Sequence, residues 1–249
     1  MNDRSLTNTK DPAFRPTIWV TRTSPDNERT AGVLRQLGFD ALALPALRVD
    51  GFPAKALDEQ PDGIVFTSVN GVRHHSICPA LFDIPVFAVG NRTAQSAALA
   101  GYTKVVSADG DVSDVERLIV RSLPPGSRLL HLSARRPAGD LTGNLHRKGY
   151  RAIRMAVYET RENTAADLLA CLPCLERIGG IMIHSPRAGR VVRCCLDKSP
   201  RRFDGIVYCI SAAAAAPFVG MEGIDIRVAA RPDEAAMLNL IGNTDGTEK

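Results

Sequence analysis

Residues able to bind anions or move protons recur at one kind of place in this chain, directly after short apolar runs. "IWV" leads into Thr21-Arg22, "GIVF" into Thr67-Ser68 and Asn70, and "VFAV" into Gly90 through Thr93. "LLHL" leads into Ser133 through Arg136, "IMI" into His184-Ser185, and "IVYC" into Ile210-Ser211. Hydroxyls, guanidinium groups and the unpaired amides of a helix start all suit carboxylates and phosphates. The same Ser, Thr and Asn residues also suit ordinary helix N-caps. Arg22, Arg92, Arg135 and Arg187 would serve as well on a solvated surface.

Other chemistries fit less well. No G-x-G-x-x-G follows a strand pattern and no Walker lysine loop is present, which disfavours NAD and ATP. Cys171 and Cys174 form a C-x-x-C and Cys194-Cys195 are adjacent, but no second well-spaced pair completes a zinc set. Reduced, mostly buried thiols are expected, and no metal. His74 and His75 lack partners at metal spacing. His131, inside an apolar strand, reads as a satisfied core residue, while His184 stands where it could face a binding site.

The elements that would position these residues alternate along the chain. "TIWVTR" precedes "PDNERTAGVLRQLG", with Val33, Leu34 and Leu37 on one helical face and Gly38 as the stop. Strand patterns recur at "FDALALPAL", "GIVFTS", "PVFAVG", "KVVSA", "RLLHLS", "YRAIRMAVYET", "GIMIHS", "GIVYCIS" and "DIRVAA", mostly with room for a helix between. This alternation predicts α/β architecture with parallel sheet.

The chain also repeats itself. "DGIVFTSVNGV" returns as "GGIMIHSPRAG", matching Ser68 to Ser185, Gly90 to Ser211, and Asp111 to the neighbourhood of Pro232. "IWVTR…LRQLGFDALALPAL" resembles "LLHLSAR…LHRKGYRAIRMAVYET", but this unit comes last in one copy and first in the other. One domain (49–158) is therefore expected to be inserted into another, built from 17–46 and 161–249. The two connections would run side by side near Pro45–Val49 and Tyr158–Arg161, and the paired domains would enclose a cleft. Recurrence of donors at equivalent strand ends favours an anion site there over capping alone.

Bulk properties narrow the class. The 249 residues are 45% hydrophobic and 23% charged, the balance of a soluble globular protein. A net charge of +4 with only 5% aromatic residues gives no support to nucleic-acid binding. No window is apolar enough to span a membrane. The polar start predicts a disordered leader over 1–16 and no signal peptide, hence a cytoplasmic protein, and "GNTDGTEK" reads as a frayed tail.

In this setting the sequence resembles the uroporphyrinogen-III synthase family over about residues 17–241. The resemblance rests on "VTR", Pro45–Leu47, "FTSVNGV", "VFAVGNRTA", "VYET", "HSPRAG" and "VAARPDEAAM", in that order. It implies two flavodoxin-like domains joined by a two-stranded linker, with the site between them and no metal or organic cofactor. The implied reaction converts hydroxymethylbilane, a linear tetrapyrrole with eight carboxylates, to uroporphyrinogen III. Water is lost and ring D is inverted through a spiro-pyrrolenine. Tyr158 of "VYET" is the implied acid. Thr93, Ser68 and Ser185 match hydroxyl positions of the family, and Arg22, Thr67, Asn70, Gly90 and Ser211 are further expected substrate contacts. A monomer is expected, since the duplication supplies both walls.

One stretch departs from the family. Where a glycine and a threonine are usual, "ISAAAAA" places Ser211 and Ala214. The helix-start amides survive that change but a hydroxyl is lost. Two rival readings follow: a non-catalytic tetrapyrrole- or polycarboxylate-binding protein of the same fold, and a two-domain binder of a small anion related by architecture alone.

Overall fold

The computed structural model describes residues 16–53, 57, 59–76, 78–172 and 175–242. The expected leader, apart from Pro16, lies outside the described residues, as does the tail beyond Gly242. The chain divides into two compact units: Val49–Thr160 is one, and the residues up to Arg48 and from Arg161 on make the other.

The outer unit opens with β1 (Thr17–Val20), α1 (Asp26–Gln36) and β2 (Asp40–Ala43), and β3 (Leu47–Gly51) leads out of it. The inner unit continues with β4 (Gly63–Phe66), α2 (Val69–His74), β5 (Val86–Ala88), α3 (Asn91–Leu99), β6 (Val105–Ser107) and α4 (Val112–Ser122). It closes with β7 (Arg128–Ala134), α5 (Leu141–Arg147) and the long β8 (Arg151–Glu162). The outer unit resumes with α6 (Ala165–Cys171), β9 (Ile178–Ile183), α7 (Pro186–Lys198), β10 (Ile206–Cys209), α8 (Ala212–Ala215), β11 (Asp225–Val228) and α9 (Glu234–Gly242).

The outer sheet runs β11-β10-β9-β1-β2, with β1 parallel to both β2 and β9. Renumbered within its own unit, that is the doubly wound order 2-1-3-4-5. The inner sheet runs β3-β8-β7-β4-β5-β6, with β7 parallel to both β4 and β8. Taking β7 as its first strand gives the same 2-1-3-4-5 order, circularly permuted, with β3 added at the edge beside β8. This is the permuted repeat of the sequence realised as topology. β3 itself carries the first connection between the units.

Strands buried on both faces need uninterrupted apolar runs. β4 and β10 are buried at every position, and Trp19, Ile18 and Val20 of β1 are wholly buried. Alternation splits them between two layers: Trp19 joins the cluster with Ile181, Ile183 and Val192, while Ile18 and Val20 join Leu34, Met237 and Ile241. Helix α1 departs from expectation in one respect. Its buried face is Asn27, Thr30, Ala31 and Leu34, and Leu37 is 55% exposed. Leu37 is the C-cap, at φ −80° and ψ 1°, so it has already left the helical path before Gly38 turns the chain at φ 89°. Gly242, read as part of the tail, is the last residue of α9.

The thiols also differ from the reading. Cys195 and Cys209 are buried, with burial pushing them to about 11 and about 12, but Cys78, Cys171 and Cys194 are exposed. On α7 the neighbours Cys194 and Cys195 face opposite ways because adjacent helical positions do not share a face. Cys174 lies outside the described residues, and so does the C-x-x-C as a unit.

Candidate active site

In both units the switch point of the strand order, where ligands of such sheets bind, lies at the carboxyl ends of two adjacent strands. In the outer unit these are β1 and β9, ending at Thr21-Arg22 and His184-Ser185. In the inner unit they are β7 and β4, ending at Ser133 through Arg136 and Thr67-Ser68.

Three serines terminate strands in nearly the same backbone conformation. Ser68 has φ −158° and ψ 157°, Ser185 φ −163° and ψ 154°, and Ser211 φ −160° and ψ 164°. Each accepts from the backbone N–H three residues on: Gly71 at 3.2 Å, Ala188 at 3.1 Å and Ala214 at 3.3 Å. Capping is therefore a real role of all three. Gly90 holds the fourth equivalent place, at φ −142° and ψ 167°, with nothing within 4 Å of where a Cβ would stand. The glycine of "TSVNG" has a packing reason, because a Cβ on Gly71 would lie 2.7 Å from the Leu132 carbonyl.

Ser68 does more than cap. Its Oγ lies 2.8 Å from the phenol oxygen of Tyr158, and the Tyr158 ring is buried beside His74, centroids 6.0 Å apart. Period two along β4 explains the meeting. Phe66 and Ser68 turn to the layer that holds Tyr158, whereas Val65 and Thr67 turn to the opposite layer. There Thr67 Oγ1 lies 3.2 Å from His131 Nε2, and His131 Nδ1 lies 3.4 Å from Thr142 Oγ1. His131 is a satisfied buried residue, and burial first, then the Arg154 charge, lowers its pKa to about 4. Thr93 is buried in the first turn of α3, its backbone N–H bonded to the Gly90 carbonyl at 3.0 Å. Asn70 is the second residue of α2 and half-buried.

The outer unit arranges its polar groups differently. Arg22 pairs with Asp26 at 3.2 Å and with Glu234, and Thr30 donates to Glu234 as well. His184 Nε2 stands 3.7 Å from Glu234, an approach too long for a hydrogen bond, and neither ring nitrogen has a hydrogen-bond partner. Burial would raise the Glu234 pKa, but the approach of His184, the Thr30 hydroxyl and the Arg22 charge together hold it at about 2. Burial also lowers the pKa of His184. Asp26 also lies 3.7 Å from Arg29, so with His184 neutral two guanidinium groups face two carboxylates and the cluster satisfies its own charges. Sequence reasoning missed Glu234. The repeat pointed away from it, because the matching position opens α4 with the apolar Val112. It set Asp111 near Pro232, and the residue there that caps like Asp111 is Asp233, accepting from Ala236 N–H at 2.8 Å.

The position of Ala214 bears on the departure in "ISAAAAA". Ala214 is fully buried in the outer unit's core, as Thr93 is buried in the inner unit. The missing hydroxyl is thus lost from a packed helix turn. Among the described residues no group of three or more His, Cys, Asp or Glu could hold a metal ion, and no helix is long and apolar enough to cross a membrane.

Two permuted doubly wound units, with hydroxyl and amide donors at their switch points and a buried tyrosine hydrogen-bonded at one of them, define a duplicated α/β protein. The family model for "Uroporphyrinogen-III synthase HemD" matches residues 28–239, and the chain belongs to that family. Its fold is similar to that of uroporphyrinogen-III synthetase from Helicobacter pylori 26695, with a TM-score of 0.61 at 18% identity over 92% of this chain and 98% of that one. It is similar also to a mutant uroporphyrinogen III synthase from the extremely thermophilic bacterium Thermus thermophilus, with a TM-score of 0.52 at 16% identity over 92% and 98% of the two chains. These identities speak for the fold alone. Among curated proteins none matches the chain.

Proposed function

We propose that this member of the family is an active uroporphyrinogen-III synthase, a cofactor-independent lyase that works as a monomer in the cytoplasm. The observation that carries the reading is the 2.8 Å hydrogen bond between Ser68 and Tyr158, formed at a switch point of a chain that belongs to this family.

The chemistry needs an acid to assist departure of the ring A hydroxyl. Tyr158 suits that role when Ser68 donates its O–H to the phenol oxygen. The phenol proton is then free for the leaving group, and the Ser68 hydrogen bond stabilises the phenolate left behind. Ser68 can do this while its lone pair still accepts from Gly71 N–H. The C–O bond breaks, the proton from Tyr158 leaves with the hydroxyl as water, and a pyrrole nitrogen lone pair stabilises the resulting cation. Ring D attacks through its substituted α-carbon, the spiro intermediate fragments, and reclosure at the other α-carbon releases a proton that returns to Tyr158. Because the bilane also closes unaided without inversion, the protein must act chiefly by folding the substrate.

Holding eight carboxylates calls for many charge-assisted donors. Thr67, Asn70, Gly90 and Thr93 of the inner unit and Ser185 and Ser211 of the outer unit are the proposed contacts, through hydroxyls, amides or helix-start N–H groups. Arg22 would first have to give up Glu234.

The test is to supply freshly generated hydroxymethylbilane to the purified protein and resolve the uroporphyrinogen isomers after oxidation. Isomer III well above the protein-free control is expected. Isomer I alone, at the control rate, would overturn the reading in favour of a binding protein of the same fold.

A further inference from the structure

Beside the Tyr158–Ser68 pair runs a second, separate hydrogen-bonded line: Thr142 Oγ1, His131 Nδ1, His131 Nε2 and Thr67 Oγ1, with gaps of 3.4 Å and 3.2 Å. It starts on α5, passes through β7 and ends at the carboxyl end of β4. His131 is 2% exposed and sits on the layer shared by Val65, Leu129, Leu141 and Leu145. Apolar neighbours and the guanidinium of Arg154, its register partner on β8, keep the imidazole neutral at ordinary pH.

A neutral imidazole donates from one nitrogen and accepts at the other. Two opposite lines are therefore available. With the proton on Nδ1, His131 donates to Thr142 and accepts from Thr67, whose hydroxyl then has no proton left to offer. With the proton on Nε2, Thr142 donates to Nδ1, His131 donates to Thr67, and the Thr67 O–H points onward as a donor. Each bond in such a line polarises the next.

We propose that His131 is a positioning residue held as the Nε2–H tautomer, which turns the Thr67 hydroxyl into an outward donor for a substrate carboxylate. The assignment of the ligand class rests on the proposed function, whose substrate supplies the carboxylate acceptors that a donating Thr67 would meet. His131 touches no substrate itself. The line explains why a histidine is kept inside an apolar strand: leucine there would pack but would leave Thr67 free to turn its proton inward or away.

The tautomer is read on the ligand-free wild-type protein from long-range proton–nitrogen correlations of the ¹⁵N-labelled imidazole. A protonated Nε2 and a bare Nδ1 are expected; a protonated Nδ1 overturns the proposal whether or not the protein turns over the bilane. Steady-state kinetics with hydroxymethylbilane then test the consequence. His131→Leu should raise KM roughly five- to tenfold, the loss of about one neutral hydrogen bond, with kcat within about twofold. His131→Gln, whose amide nitrogen reaches the place of Nε2, should restore KM to within about twofold of wild type. In a Thr67→Val background His131→Leu should add nothing. Equal KM for His131→Leu and wild type, or failure of His131→Gln to rescue a folded protein, would sink the positioning role. Absence of turnover in the wild type would remove the function reading and leave the tautomer result to stand or fall alone.

Discussion

Ser68 and Ser185 occupy matching strand ends in the two units, with φ and ψ alike to within a few degrees and the same cap bond to the residue three places on. Their surroundings have diverged. Ser68 meets the phenol of Tyr158, with Thr67 and His131 on the opposite layer, whereas the residues beside Ser185 form an ion cluster of Arg22, Asp26, Arg29 and Glu234 next to a neutral His184. Duplication has preserved what the backbone supplies, namely an extended serine followed by a helix start. It has not preserved what side chains supply. In this reading the inner unit carries the proton chemistry, and the outer unit lends amides and hydroxyls while using its charges to hold itself together.

The sharpest way to break that contrast is at Tyr158. Tyr158→Phe removes the acid and leaves the ring, so kcat for isomer III should fall by about 10²–10⁴ with KM little changed. A fall of less than about threefold would return the phenol to a purely structural bond with Ser68.

Next in size is a pH effect in which His131 of the inner unit has the largest part. His131 titrates at 6.5 in an unfolded chain and at about 4 in the fold. Between those values the unfolded chain binds more protons, so stability falls as pH drops from 6.5 towards 4, by about 3 kcal/mol when complete. Urea titrations at several pH values should show this loss, and His131→Gln should remove its share. Glu234, depressed to about 2, loses its contribution only below the ordinary carboxylate range, as pH falls from about 4.5 towards 2.

The outer cluster should answer to stability and not to turnover. Arg22→Ala leaves Glu234 without its guanidinium and Asp26 with only the longer contact to Arg29, for a loss of about 2 kcal/mol in urea unfolding, while KM for the bilane stays within about twofold. A large rise in KM with unchanged stability would reassign Arg22 to the substrate. Smallest are the caps themselves. Ser185→Ala and Ser68→Ala should each cost about 1 kcal/mol of stability, but only Ser68→Ala should also slow turnover, roughly tenfold for one hydrogen bond to the acid. Equal kinetic effects from the two would erase the distinction between the units.

Much of this was legible in the linear chain. Apolar runs buried on both faces, glycine stops and hydroxyl caps are local properties, so nearly every strand could be read from residue type and spacing, while most helices were placed only as room between strands. The permuted order of the repeat followed from matching "GIVFTS" to "GIMIHS" and "IWVTR" to "LLHLSAR", because equivalent positions in a doubly wound sheet impose the same patterns. The motifs that mark the family are short, yet their order along the chain placed Ser68, Thr93 and Tyr158 on one list of candidates.

Contacts between distant residues were decided only by the tertiary structure. Glu234 reaches Arg22 across more than two hundred residues, and Thr67 finds His131 because β4 and β7 are neighbours in the sheet. A sequence shows which residues can donate or accept, and the strand order selects their partners. It was the fold that separated Ser68 from Ser185, gave Arg22 its carboxylates and buried Ala214 where a hydroxyl seemed missing. Helices and strands arise from neighbours along the chain, whereas a site arises from neighbours in space.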